Sequence, residues 1–246
     1  MGPVSALDIR LPDISQDELM RLFFEMETNG FGCVPRFLGA ADLAKAQAFV
    51  ASSVRGSGNE YVAYRGSESV QGSGLDDLAT ALRFQSIFAR LYEASRRRPA
   101  PPVEFYQLLR CLAGTGMLKH SFNFHYDSYL ITALIPIVIP DTGKPGDLYL
   151  APITRPVRGS YIANVIDKIV LEKFKQKALR RRAEVDPQWF TRIRMVPGNL
   201  YLFWGYRTVH ANEPCDPGTV RATALYHFFD PHSGSSLKHR LRWLGH

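Results

Sequence analysis

The stretch Leu130–Ile139, LITALIPIVI, contains ten residues of which only Thr132 carries a polar side chain. It is too short to cross a bilayer, since a spanning helix takes about 20 apolar residues. Its many β-branched residues fit a pleated strand. A strand without polar alternation is buried on both faces. The chain around it must therefore cover both of those faces. With 246 residues, 46% of them hydrophobic, it has the material for a substantial core.

The order of the remaining signals predicts how that cover is built. Residues 15–28 read as a helix, with Ser15 as cap, Glu18 three residues on, and Leu19, Leu22, Phe23 and Met26 on one face. Residues 31–37 form a short extended piece, 42–50 a second helix, 55–74 a Gly- and Ser-rich loop, and 75–97 a third helix stopped by the prolines of 99–102. Strand-like segments follow at 103–110, 117–127, 130–139 and 148–151. Residues 161–182 return to helical period, with Ile162, Ile166, Ile169, Val170 and Phe174 on one face. The strands resume at 200–204, 208–211 and 220–229. GDLYL at 146–150 and GNLYL at 198–202 read as equivalent turn-to-strand entries. Helices, then strands around a helical insertion, predict an α+β fold whose strands close as a double sheet. We expect one domain over 1–246: a mainly helical part to residue 102, then a strand core over 103–231 interrupted by a helical insertion at 156–190.

The chemistry lies at the entrance to the buried strand. His125 and Asp127 are separated by one residue, so alternation points both to one face. Two ligands hold a metal weakly, and a third must come from elsewhere in the chain. His210 follows the apolar segment LYLFW and is the best placed of the remaining histidines. Two histidines and a carboxylate make the facial set of non-haem Fe(II) oxygenases, which leaves the opposite face of the metal open. Eleven residues after His210 comes Arg221, with Thr223 on the same strand face. A guanidinium fork with a neighbouring hydroxyl suits the distal carboxylate of 2-oxoglutarate. The same residues also allow a hydrogen-bonded His–Asp pair in the core, or a zinc site lacking the helical HExxH arrangement.

Together, His125-x-Asp127, His210 and Arg221 resemble the 2-oxoglutarate/Fe(II)-dependent oxygenases, and most of all their phytanoyl-CoA dioxygenase-like branch. TNGFGCVPRFLGAADLAKAQAFV (28–50) and TALIPIVIPDTGKPGDLYLAP (132–152) are similar to that branch's N-terminal strand and helix and to its central strand pair. The sequence departs from the branch at residues 151–155, where Ala-Pro-Ile-Thr-Arg replaces a Pro-Gly-Ser-His pattern. The resemblance implies a jelly-roll core (a double-stranded β-helix, as in cupins), with Fe(II), 2-oxoglutarate and O2 as cofactor and cosubstrates. It further implies decarboxylation of 2-oxoglutarate to succinate, coupled to hydroxylation of a C–H bond. Asp127 argues against the halogenating branch, which places a small residue there.

The net charge of +7 favours an acidic partner. We expect a small anionic substrate, with Asn123, Tyr129, Arg155 and Arg207 as candidate contacts around the predicted mouth. Alternatives are a macromolecular substrate, nucleic acid or glycolipid, held by the basic run KFKQKALRRR, and a metal-binding module without turnover. Aromatic residues scarcely interleave that run, which disfavours nucleic acid. A charge run on a helix is usually a solvated face, and here it also fits a lid. Three distant cysteines, Cys33, Cys111 and Cys215, read as reduced thiols of a cytoplasmic protein. No signal peptide or membrane span is expected.

Overall fold

Strand alternation divides the apolar residues of the core between two faces of one sheet, and this division positions everything else. The computed structural model describes residues 10–58, 60–113, 121–236 and 238. Among the described residues, nine strands form two antiparallel sheets among helices. In chain order the strands are β1 (Gly32–Val34), β2 (Val62–Arg65), β3 (Phe105–Leu112), β4 (Ile131–Val138), β5 (Leu148–Thr154), β6 (Thr191–Ile193), β7 (Leu200–Phe203), β8 (Thr208–Asn212) and β9 (Arg221–Phe228). The larger sheet runs β1-β7-β4-β9-β3-β2 and the smaller β6-β5-β8.

The apolar run LITALIPIVI is the central strand β4, paired on one side to β7 and on the other to β9. Its odd positions, Ile131, Ala133, Ile135 and Ile137, join Leu200, Leu202, Ala222, Ala224, Tyr226 and Phe228 in packing against the N-terminal helices. Those helices are α1 (Gln16–Thr28), α2 (Ala40–Gly56), α3 (Leu75–Thr80) and α4 (Leu82–Arg96). On the other face, Leu134, Tyr201 and Phe203 meet Leu148, Leu150 and Ile193 of the small sheet. Pro136 lies where the β4–β9 register shifts, the position at which a central strand tolerates the loss of a ladder donor.

The insertion forms a fourth layer. It consists of α5 (Tyr161–Val170), one π turn (Leu171–Lys175) and α6 (Gln176–Val185). Leu171, Leu179 and Ala183 pack with Tyr149, Ala151, Val209 and Ala211 on the outer face of the small sheet. Arg155 fastens this layer. Its side chain is buried between the rings of Tyr126 and Tyr206, 4.0 and 4.3 Å from their centroids. It donates to Tyr206 O, Asn164 Oδ1 and Asp167 Oδ2 at 2.9, 2.7 and 2.9 Å.

Several elements differ from the sequence expectation. The helix expected at 75–97 is broken at Ala81, whose ψ of 119° is extended. The expected loop at 55–74 contains β2, which gains strand structure by pairing with β3. Residues 117–120 of the strand expected at 117–127 lie outside the described residues. The rest turns at Phe122, whose φ is 45°, and makes one bridge at His125. Gly146 and Gly198 both adopt φ near 80° before β5 and β7, one entering each sheet. The three cysteines are unpaired. Among the described residues, no helix is long and apolar enough to cross a membrane.

Candidate metal centre

His125, Asp127 and His210 converge between the two sheets, with one ligand atom from each within 4.8 Å of the others. Backbone pairing fixes their approach. His125 N–H donates to His210 O and His210 N–H to His125 O, both at 3.0 Å, so the segment before β4 extends the small sheet at β8. Asp127 N–H donates to Gly205 O at 2.9 Å. Tyr126, between the two ligands, points the opposite way, onto Arg155.

Both imidazoles are turned for coordination. His125 Nδ1 lies 2.8 Å from Asn123 O and His210 Nδ1 lies 3.0 Å from Thr208 O. A carbonyl oxygen only accepts, so each Nδ1 carries the hydrogen and each Nε2 faces the carboxylate. The Nε2 atoms lie 3.6 and 3.5 Å from Asp127 Oδ1 and Oδ2. Burial would raise the Asp127 pKa, but His210 and His227 beside it, with hydrogen bonds from His125 and His210, hold it well below the usual carboxylate range. Burial likewise opposes charge on His210, yet Asp127 raises its pKa above 6.5. The site opens on one side: the His125 side chain is 43% exposed, those of His210 and Asp127 only 8% and 9%.

Three groups that the sequence does not mark as site residues, Thr132, His227 and Gly205, surround Asp127. Thr132 Oγ1 donates to Asp127 Oδ2 at 2.5 Å. His227 Nδ1, 3.0 Å from Thr132 Oγ1, must then be the donor of that second bond. Burial first of all lowers the His227 pKa, against the pull of Asp127, and its ring stacks on Tyr129. Gly205 has no room for a side chain, since a Cβ there would stand 2.2 Å from Thr132 Oγ1 and 2.3 Å from Asp127 Oδ2. The His227 and Gly205 contacts join residues remote in sequence, which no local pattern marks.

Arg221 and Thr223 line the same inner face of β9. Arg221 is 3% exposed. Its Nη2 donates to Asn212 Oδ1 at 2.9 Å and approaches Met195 Sδ at 3.8 Å, while Nε and the Thr223 hydroxyl are buried without partners. No carboxylate pairs with this guanidinium among the described residues, and burial brings its pKa down to about 10. A buried cation with unused donors beside an unused hydroxyl is the chemistry of a carboxylate site. Asn212 lies two residues beyond His210 on β8, about 6.6 Å along the strand. Asn212 thus ties the Arg221 guanidinium to the strand that carries His210. Gly146 keeps the space open, because a Cβ there would come 2.7 Å from Arg221 Cδ.

The other candidate contacts separate. Asn123 is exposed and receives a 3.4 Å contact from Gln176 Nε2. Tyr129 stacks on Tyr106 and His227. Arg155 is buried, and its guanidinium donates to Tyr206 O, Asn164 Oδ1 and Asp167 Oδ2. Arg207 makes a two-point pair with Glu27 at 2.6 and 3.3 Å. A cavity of about 260 Å³ opens beside His125, walled by Asn123, Phe124, His125, Lys168, Glu172 and Gln176. Lys168 donates to Ser128 Oγ at 2.9 Å, pairs with no carboxylate among the described residues, and is lowered by burial to about 8.

No protein-family model and no curated protein sequence matches the chain. Solved structures do match, among them 2-oxoglutarate–Fe(II) oxygenases and α-ketoglutarate-dependent enzymes. The carbocyclase SnoK of nogalamycin biosynthesis is 18% identical, with TM-score 0.55 over 94% of this chain and 88% of its own. The epimerase SnoN, solved with Fe3+, α-ketoglutarate and nogalamycin RO, is 17% identical, with TM-score 0.55 over 88% and 85%. An oxidoreductase of the 2OG-Fe(II) oxygenase family from Burkholderia pseudomallei is 12% identical, with TM-score 0.52 over 89% and 92%. The chain thus shares its fold with these enzymes and carries a His–Asp–His set that can hold iron.

Proposed function

We propose that the protein is a non-haem Fe(II)- and 2-oxoglutarate-dependent oxygenase that hydroxylates a small anionic metabolite. Arg221 carries this reading: a buried guanidinium with no carboxylate partner among the described residues, bonded to Asn212 two residues from His210, suits a dicarboxylate cosubstrate better than a structural metal. In this reading His125, Asp127 and His210 hold the metal, and Arg221 with Thr223 binds the distal carboxylate. Bound iron would supply O2 activation coupled to decarboxylation of 2-oxoglutarate to succinate. Thr132, His227 and Gly205 would keep Asp127 aimed at the metal. The cavity beside His125 would take the substrate, with Lys168 as the cation for its anionic group and Asn123 at its rim. Tyr129 acts through its stacking on His227. Arg155 and Arg207, occupied by the protein's own acceptors, shape the surroundings of the site without contacting substrate.

The facing sheets support a jelly-roll core within one domain, and segments 28–50 and 132–152 support placing the chain near the phytanoyl-CoA dioxygenase-like branch. The three unpaired thiols support a cytoplasmic setting. The test is anaerobic loading of the protein with Fe(II) and 2-oxoglutarate. A visible charge-transfer band should appear, vanish in His210→Ala and weaken in Arg221→Met. Tight iron binding with no band and no succinate on aeration would sink the oxygenase reading and leave a metal-binding module.

A further inference from the structure

The insertion buries Leu171, Leu179 and Ala183 against the small sheet, yet leaves most of its large apolar side chains outside. Its inner side carries polar groups: Asn164 is buried, Asp167 pairs with Arg155 and Arg158, and Lys168 reaches Ser128. Its outer side carries Ile162, Ile166, Ile169, Val170, Phe174 and Val185. These are six of the ten large apolar side chains exposed on the described protein, gathered in 25 residues, and Phe174 is 74% exposed. The stripe expected from periodicity is real, but it faces solvent instead of the core. The π turn directs Leu171 inward and leaves Phe174 outside. Concentrated exposed apolar surface marks an interaction site.

Charge narrows the choice of partner. Residues 161–185 hold seven Lys and Arg against three Asp and Glu. Lys173, Lys175, Lys177 and Arg181 make no ion pair or hydrogen bond among the described residues. A groove of about 650 Å³ runs between Phe174 and Val185, with Lys177, Arg181 and Arg182 along it. A second copy docking symmetrically would press two cationic faces together. A nucleic acid would match the charge and leave the apolar stripe wet. An anionic lipid surface satisfies both, burying the apolar side chains at the headgroup boundary and pairing the cations with phosphates.

We infer that the outer face of α5–α6 docks on anionic bilayer surfaces. This does not depend on the oxygenase reading. The inner side of the same insertion walls the cavity beside His125, so docking would bring that cavity close to the bilayer.

The test is sedimentation of the full chain with vesicles of phosphatidylcholine alone and of an equal mixture with phosphatidylglycerol. Wild type should bind the mixed vesicles and not the neutral ones, with affinity falling as salt rises. Each neutralised cation should weaken binding about fivefold, so K173Q/K177Q/R181Q together should lose roughly a hundredfold. I166D/F174D, at exposed positions that leave the fold intact, should abolish binding with an unchanged circular dichroism spectrum. Absence of binding to mixed vesicles overturns the inference. So does duplex DNA binding that F174D leaves untouched, which makes the face a polyanion site. Self-association in sedimentation velocity that I166D reverses also overturns it, making the face a dimer contact.

Discussion

Replacing Arg221 with methionine should separate cosubstrate binding from folding, because the two respond in opposite directions. The guanidinium is buried, and its pKa falls from 12.5 to about 10. A base with a depressed folded pKa destabilises the fold fully at any pH below that folded value, and the cost fades as pH rises through it. At neutral pH the whole difference applies, roughly 3 kcal/mol. Against it stands the hydrogen bond to Asn212 Oδ1 at 2.9 Å. A charged donor makes such a bond worth roughly 1.5–3 kcal/mol. Methionine has similar bulk and no charge, so Arg221→Met is expected to leave the metal-free protein as stable as wild type or about 1 kcal/mol more stable, a Tm rise of about 2–4 °C. Cosubstrate binding should fail. Losing a buried charged partner costs roughly 2–5 kcal/mol, or roughly 30- to 4,000-fold in Kd. Thermal unfolding of the metal-free protein and calorimetric titration of 2-oxoglutarate into the Mn(II)-loaded protein measure the two effects. Added 2-oxoglutarate should raise the Tm of loaded wild type and not of the variant. A variant that loses more than about 2 kcal/mol, or binds 2-oxoglutarate normally, would show that Arg221 is a structural group and refute the reasoning.

Gly205→Ala pushes a methyl into Thr132 and Asp127 and should weaken Mn(II) affinity by roughly 10- to 100-fold, read by the free-Mn(II) paramagnetic signal. Arg155→Ala removes three hydrogen bonds and two ring contacts. It should cost about 3 kcal/mol in urea unfolding, since Asp167 keeps Arg158, and hydrogen exchange should rise in 161–185 before it rises in β4. Metal affinity should be flat at high pH and fall as pH drops through the raised His210 pKa, with a midpoint above 6.5 in a titration of Mn(II) binding. The stability that metal-free protein draws from the His210–Asp127 pair runs the other way, full below pH 6.5 and lost as pH rises through the folded value.

The meeting of His125, Asp127 and His210 is legible in the sequence because strand alternation fixes the first two and an apolar strand introduces the third. Arg221 and Thr223 share a face for the same reason. What held no local signal were contacts across the sheets. Thr132 reads as one more β-branched strand residue, Gly205 as a loop glycine and Lys168 as one basic residue of a helix. Short edge strands such as β2 and β6 exist only through their partners. The periodicity of 161–182 identified an apolar stripe, but periodicity has no sense of in or out. Arg155, near the expected mouth by chain position, is drawn into the protein by Tyr126 and Tyr206, which neighbour it only in space.

The unequal cover of the three ligands has a kinetic consequence. Asp127 and His210 are buried between the sheets, whereas the His125 ring is partly exposed, with its Nδ1 on Asn123 O. Traffic of a metal ion through such a centre would be one-sided. Exchange would begin with the outer imidazole swinging away, leaving the two inner side chains on an ion that an incoming chelator could take. Unloading would then be stepwise and set by the scavenger's concentration, and occupancy would follow the metal supply without unfolding of the chain.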